Sequence, residues 1–362
     1  GVHYEPLTPM HGDTPAVFPS RFHPPPGVYV ISTTTLQGIP LADPEMFDWF
    51  RHRTPDARIG HVMFVYHVPE PKEPGTWVAQ CTSPVAPLPA ETLAEGLGNP
   101  DLRRAYFDCT QSWLFPQGGE SRGWYVLSRD TARQSSAVAD FIEAYLTPAH
   151  LSYEQTQSRT IPPFVMYEWL PTDIRPGASF GLSQEKPWLD LTQTGILAPS
   201  MWPPSQAETE GIQATAPLKL EGPALTCPGR KCQGSNVEGE LDWLGYRLRL
   251  TRPHPGQTVA LETVWQVNQP SQVPLSLMAH LIAADGHAVA VGDGLGVPLV
   301  HWQEGDIIVQ RHNLIVPPDA PPGVYWLHIG AYTLADVQRW MIHTDQGPPA
   351  DRILLEHIEV VK

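Results

Sequence analysis

Phe107-Asp108-Cys109-Thr110-Gln111-Ser112-Trp113-Leu114-Phe115-Pro116, followed after Gly118-Gly119 by Gly123-Trp124-Tyr125-Val126-Leu127, is the stretch on which the fold turns. An apolar strand that runs into Asp, Cys, Gln and Ser before a turn is where an α/β sheet exposes polar groups at a strand end. Asp108 and Gln111 beside Trp113 would form a polar cup with an aromatic wall, a common way to hold a sugar. The competing assignment makes Asp108 the cap of a turn, leaves Gln111 in solvent and puts Trp113 in a core.

Upstream, Gly27 to Thr35 is apolar and β-branched, a strand. Asp43-Pro44-Glu45 supplies an N-cap, a proline at the first helical position and an acidic first turn. A helix through Arg53 is predicted, burying Met46, Phe47, Trp49 and Phe50. Ile59 to Val68 is a second strand, and a βαβ unit calls for a parallel pair. Strand Thr76 to Cys81, a helix over Ala90 to Leu97 and strand Leu102 to Cys109 follow.

Downstream of Leu127, Val138, Phe141, Ile142 and Tyr145 recur at helical spacing behind a cap at Ser135 or Ser136. Leu151 to Gln157 and Phe164 to Leu170 close the segment as strands. Single helices alternating with strands predict an α/β domain over residues 1–170, with a mainly parallel sheet and a second half that fits a ferredoxin-like split βαβ. Residues 171–236 dissolve into Pro, Gly, Ser, Thr and Gln, and are expected to form a Pro-rich linker with short strands packed on its neighbours.

Residues 237–362 change texture. Leu244 to Leu250, Gln257 to Gln266, Leu275 to Ala283, His287 to Val291, Ile307 to Leu314, Gly323 to Tyr332 and Ile353 to Val361 are short strands at near-regular spacing. Asp285-Gly286 makes a tight hairpin. No helical pattern interrupts them, so this region is expected to be an all-β, immunoglobulin-like sandwich.

Charge narrows the partners. The formal net charge is −15, so nucleic acid, which needs a basic face, is not an expected partner. The longest apolar runs, Ile59 to Val68 and Leu275 to Ala284, are strand-length, well short of the ~20 residues of a spanning helix. The opening Gly1-Val2-His3-Tyr4 has no charged-then-apolar leader, and an initial Gly without Met suggests a trimmed tag or an excised fragment. Proline, at 41 residues, exceeds twice its usual ~5% share and falls in doublets between periodic segments, where it stiffens loops.

The four cysteines form an even set without histidines at ligand spacing, which favours two disulfides over zinc in an exported chain. Cys227 and Cys232 close a short loop through a Pro-Gly turn. Cys81 and Cys109 each sit near a strand end and could meet across a sheet. No metal or cofactor is expected. Gly292-Asp293-Gly294-Leu295-Gly296 follows a strand but runs into Val297-Pro298; a phosphate cradle needs a helix there, so it reads as a turn loop. His280, His287 and His301 lie in neighbouring strands, and a site built on them is weighed against ordinary solvated histidines. Tyr332 and Trp340 make a second aromatic candidate for ligand binding.

Val30 to Gly38, Phe47 to Arg51 and Ala57 to Tyr66, then Trp77 to Cys81, Phe107 through Trp113 and Gly123 to Leu127, resemble a segment that follows the last membrane helices of bacterial family 39-like glycosyltransferases, relatives of dolichyl-phosphate-mannose protein mannosyltransferases. His280-Leu281, Asp285-Gly286, Trp302 to Asp306 and Pro321 to Tyr325 are similar to the β-sandwich that often ends such chains. The resemblance implies an extracytoplasmic position and a parent enzyme that transfers sugar from a polyprenyl-phosphate donor. That family's catalysis rests on acidic residues between early membrane helices, so no catalytic residue is carried over.

The expectation is a non-catalytic module, partnered by the membrane-embedded portion of its parent and engaging acceptor or cell-surface glycan. The alternatives are a free-standing exported hydrolase or transferase with its site near Asp108, and a structural surface protein.

Overall fold

The computed structural model describes residues 21–39, 41, 43–146, 150–156, 158, 161–171, 188–189, 217–223, 237–343 and 349–362. Among the described residues strand accounts for 44% and helix for 15%, so this part of the protein is β-rich. Contacts divide the chain into two units. The first comprises Gly1–Ala105 and Ser121–Leu170, the second Tyr106–Glu120 and Pro171–Lys362. Cys227 and Cys232 lie outside the described residues, whereas Cys81 and Cys109 form a disulfide.

In chain order, the first elements are β1 (Gly27–Ser32), α1 (Thr33–Leu36), α2 (Asp48–Arg51), β2 (Ala57–Ile59), β3 (Met63–Val68), β4 (Trp77–Cys81), α3 (Ala90–Leu97), β5 (Arg103–Phe107) and β6 (Ser112–Phe115). Next come β7 (Gly123–Ser128), α4 (Arg129–Gln134), α5 (Ser136–Tyr145), β8 (Leu151–Gln155) and β9 (Phe164–Trp169). The remainder are strands: β10 (Trp188–Leu189), β11 (Leu218–Glu221), β12 (Glu240–Leu248), β13 (Thr258–Gln269), β14 (Leu275–Ile282), β15 (Ala288–Val291), β16 (Ile307–Ile315), β17 (Gly323–Thr333), β18 (Met341–His343) and β19 (Ile353–Val360).

The first unit carries a three-stranded sheet, β1-β3-β2, and a five-stranded sheet, β5-β4-β7-β9-β8. The parallel pair expected of the first two strands is not formed: β1 runs antiparallel to β3. In the larger sheet β4 and β7 are parallel, while β7–β9 and β8–β9 are antiparallel, so the sheet is mixed and not mainly parallel.

Local chemistry explains the shift. Ser32 Oγ accepts the Thr35 N–H at 3.1 Å, and this cap turns Thr33-Thr34-Thr35 from the expected strand into α1. The helix predicted from Asp43 shrinks to α2. The Asp43 carboxylate accepts the Glu45 N–H at 3.0 Å and holds Arg21 at 2.6 Å, and Asp43 to Phe47 makes successive three-residue turns, Met46 N–H to Asp43 O and Asp48 N–H to Glu45 O, before Asp48–Arg51 closes as helix. Its expected apolar face is nevertheless buried: Phe47, Trp49 and Phe50 join Tyr29, Ile31 and Tyr66 in one core cluster, with Met46 packed against it. α5 keeps its predicted cap, Ser135 Oγ accepting the Val138 N–H.

The second unit holds two sheets, β10-β19-β17-β14-β15 and β18-β11-β12-β13-β16-β6. Both are antiparallel. The stretch Phe107 to Leu127 is divided between the units. Ser112 to Phe115 does not extend the strand that ends at Phe107; as β6 it pairs with β16, Trp113 opposite Val309 and Leu114 opposite Ile308. All four β6 residues are buried. Asp306, itself fully buried, accepts the Gln117 and Gln303 N–H groups and ties down the turn after β6. Gly296 lies against the same strand. A Cβ there would stand 2.4 Å from Ser112 Oγ, so only glycine permits the approach.

Candidate functional site

The polar centre of the second unit is built where Gly292-Asp293-Gly294 folds back along β14. The Gly292 N–H donates to Ala279 O at 2.8 Å, and Gly294 exchanges hydrogen bonds with Leu277 at 3.0 Å. Asp293, held between them, accepts the Ala279 N–H at 3.0 Å on Oδ1. His280 Nε2–H donates to the carboxylate, 3.0 Å from Oδ1 and 3.1 Å from Oδ2, and Tyr332 O–H donates to Oδ2 at 3.0 Å. Burial alone would raise the Asp293 carboxyl. The His280, Ala279 and Tyr332 donors outweigh it and hold it below the usual carboxylate range. Burial and the Asp293 charge push the Tyr332 phenol up. Asp293 and His280 remain 16% and 17% exposed, so solvent or a ligand reaches them.

Behind this group is a dry chain of donors. A carbonyl only accepts, so His312 Nδ1–H donates to Gly292 O at 2.7 Å. Thr263 O–H donates to His312 Nε2 at 2.9 Å, and Trp265 Nε1–H donates to Thr263 Oγ1 at 2.7 Å. Burial lowers the His312 pKa to about 4, which keeps the ring neutral and both nitrogens matched. In the unfolded chain the ring titrates near its ordinary value, so the unfolded state binds the extra proton first. The stabilisation is therefore complete above about pH 6.5 and lost as pH falls toward about 4, a loss of about 3 kcal/mol. Denaturation of the second unit, followed from pH 7.5 to 4, is expected to show this slope, and His312→Leu to flatten it while costing stability at neutral pH. An unchanged slope in His312→Leu would remove His312 as the cause.

Alternation along β17 puts Trp326, His328, Gly330 and Tyr332 on one face, opposite Ile282, His280, Met278 and Ser276 of β14. Trp326 is partly exposed and meets the exposed His357 edge-on at 6.0 Å. Val324, two residues before Trp326 and 50% exposed, also lines a groove of 670 Å³ with Ala288, Val289, Pro321, Tyr325 and Asp285. That volume is in the range of small-molecule sites. Ile282, Met278, His328 and Gly330 on this face are buried, so its accessible groups are the partly exposed Trp326 at one end, next to the groove-lining Tyr325 in the chain, and Asp293, His280 and Tyr332 at the other.

The residues singled out from sequence are placed differently. Asp108 Oδ1 accepts the Thr110 N–H at 3.0 Å and its hydroxyl at 2.6 Å, while Oδ2 accepts Gln111 Nε2–H at 2.7 Å. Asp108 thus caps its own turn, with Gln111 exposed beside it. Trp113 is fully buried and presents no open aromatic wall to them. Trp340 is also fully buried, its ring against Gly222 and Gly239, so Tyr332 is the accessible member of that pair.

The three histidines are held separately: His280 by Asp293, His287 by Asp285, and His301 with its ring centroid 5.1 Å from that of Tyr106. Among the described residues no group of three His, Cys, Asp or Glu side chains is placed to hold a metal ion. Asp293, Trp326 and His357 were not foreseen. The period-2 row Trp326-His328-Gly330-Tyr332 was the available signal for the face; Asp293 stood inside a glycine run read as a turn.

No protein-family model matches the sequence, and comparison with curated proteins finds no match.

Proposed function

We propose that the chain is a non-catalytic extracytoplasmic module of a polyprenyl-phosphate-sugar-dependent membrane glycosyltransferase, and that it engages acceptor or cell-surface glycan. Its first unit is read as the α/β part and its second as an immunoglobulin-like sandwich. The observation that carries the reading is the β17 face. Sugars present hydroxyl groups around an apolar ring; the carboxylate of Asp293 and the phenol oxygen of Tyr332 have acceptor capacity beyond the bonds they make with each other and with His280, and the partly exposed Trp326 on the same strand supplies a stacking surface. The Cys81–Cys109 disulfide suits an oxidising compartment. The sequence patches that resemble the glycosyltransferase tail supply the parent enzyme and its membrane-embedded portion as partner.

Titration of the intact chain with a panel of cell-surface glycans tests this. Binding in the micromolar to millimolar range is expected, with a loss of about ten-fold in Trp326→Ala. No binding of any glycan at millimolar concentration would remove the reading and leave the structural surface protein. Hydrolase or transferase activity present in the wild type and lost in Asp108→Ala would favour the enzyme reading instead.

A further inference from the structure

The 670 Å³ groove of the second unit lies between two chain corners. One is the hairpin that joins β14 to β15; the other is the Pro-rich connection from Pro317 to Pro322, with the first residues of β17. Both corners are pinned. In the hairpin the Ala283 N–H donates to His287 O and the Gly286 N–H to Ala283 O, each at 2.9 Å. In the connection the Ala320 N–H donates to Pro317 O at 3.0 Å and Tyr325 O–H to Pro321 O at 2.7 Å. Pro317, Pro321 and Pro322 each fix φ there, so the wall is stiff before anything binds.

The charges of the lining are of one sign. Asp285 and Asp319 belong to it, and no Lys or Arg does. Asp319 is exposed, and among the described residues its carboxylate makes no hydrogen bond or ion pair. Asp285 accepts the His287 backbone N–H at 3.2 Å and meets the ring Nδ1. That backbone bond first, and the ring after it, hold the Asp285 carboxyl below the usual carboxylate range. With its Nδ1 proton directed at Asp285, the neutral His287 ring leaves Nε2 as an acceptor. Tyr325 has already committed its phenol proton to Pro321. The side chains of the groove therefore present apolar surface and acceptors, and no donor.

We propose that this groove binds a small organic cation, an alkyl or arylalkyl amine, with its ammonium at Asp319 and Asp285 and its apolar portion along Val324, Pro321 and Pro322. An ammonium brings donors and no acceptor, which is what the lining lacks. An anion would meet like charge. A peptide segment would bring carbonyl groups for which no side chain here donates. The groove has the size of a small-molecule site, and its stiff walls lower the ordering cost of binding. Asp293, His280, Tyr332 and Trp326 do not line it, so the inference stands apart from glycan recognition.

Titration of the intact chain with phenylbutylamine tests it, beside phenylbutanol and phenylbutyrate, which keep the apolar portion and change only the charge. The methyl resonances of Val289 and Val324 report from the groove. The amine is expected to shift them with a Kd in the millimolar range, about five-fold below that of the alcohol, and the carboxylate to leave them in place. Asp285→Asn with Asp319→Asn should reduce the amine to the affinity of the alcohol. Asparagine still accepts the His287 N–H, so near-UV circular dichroism should be unchanged; Asp319→Asn alone is the milder second variant. Glu95→Gln, which removes an exposed carboxylate from α3 in the other unit, should leave binding intact. Absence of any shift at tens of millimolar amine, equal binding of the amine and the carboxylate, or amine binding unaltered in the double variant would overturn the proposal. So would an equal loss in Glu95→Gln, since the attraction would then be to the net charge of the chain and not to the groove.

Discussion

Replacing Glu262 by alanine is expected to destabilise the second unit by about 3–5 kcal/mol. Glu262 lies between Arg247 and Arg311 on three neighbouring strands, directly opposite each in the register of β13 with β12 and β16. Arg311 Nη2 donates to Glu262 Oε1 at 2.6 Å and its Nε at 3.2 Å, while Arg247 Nη1 donates to Oε2 at 3.3 Å. Side-chain exposure is 5% for Glu262 and 7% for Arg311, so the pair is dry. Removing the carboxylate leaves the buried guanidinium without its principal counter-charge, and that desolvation cost is the origin of the large effect. Replacing both by apolar residues, Glu262→Leu with Arg311→Met, should recover much of it. Denaturation resolved for the second unit by hydrogen exchange is the measurement. A loss under about 1 kcal/mol, of the size of a solvated surface pair, would show that the pair is not buried in solution.

Trp113→Ala is expected to cost about 3–5 kcal/mol, the range for deleting a fully buried aromatic ring. The informative part is where protection is lost. β6 pairs with β16, so the amides of Ile307 to Gln310 should exchange faster in the variant. The amides of β4 and β7, in the sheet of the first unit, should keep theirs. Loss confined to β4 and β7 would contradict the assignment of β6 to the second unit. Phe107, edge-on to Trp113 at 5.4 Å, would line the cavity.

Much of the fold was legible where one local signal decided it. α3 and α5 carry helical spacing with an ending or a cap: Gly98 at φ +65 closes the first and Ser135 opens the second. The strands of the second unit are alternating or fully apolar runs separated by turn residues, with Gly286 at φ +87 in the Asp285-Gly286 hairpin. Where two local signals competed, the pattern misled. Three threonines promised strand, but the Ser32 cap stopped it; Asp43-Pro44-Glu45 promised a long helix, but the Asp43 carboxylate was drawn into a turn and an ion pair.

The site was less legible because its parts converge from distant strands. His280 and Tyr332 were in view as a metal ligand and a stacking partner. Their shared acceptor, Asp293, was hidden in a glycine run that is indeed a loop, one that lies along β14. Trp113 and Trp340 were candidates because tryptophan serves both cores and ligand platforms, and burial alone separates the two uses.

By itself the sequence determined many of the strands, the helices α3 and α5, and that the chain is acidic and β-rich toward its end. These follow from period, caps and turn residues, all within a dozen positions of one another. Tertiary structure alone decided partners: that β1 runs antiparallel to β3, and that Ser112 to Phe115 leaves the strand before it to pair with β16. A four-residue strand buried throughout has no polar face to declare its orientation or its sheet. Its place is set by Val309, Ile308 and Gly296, roughly two hundred residues away in the chain.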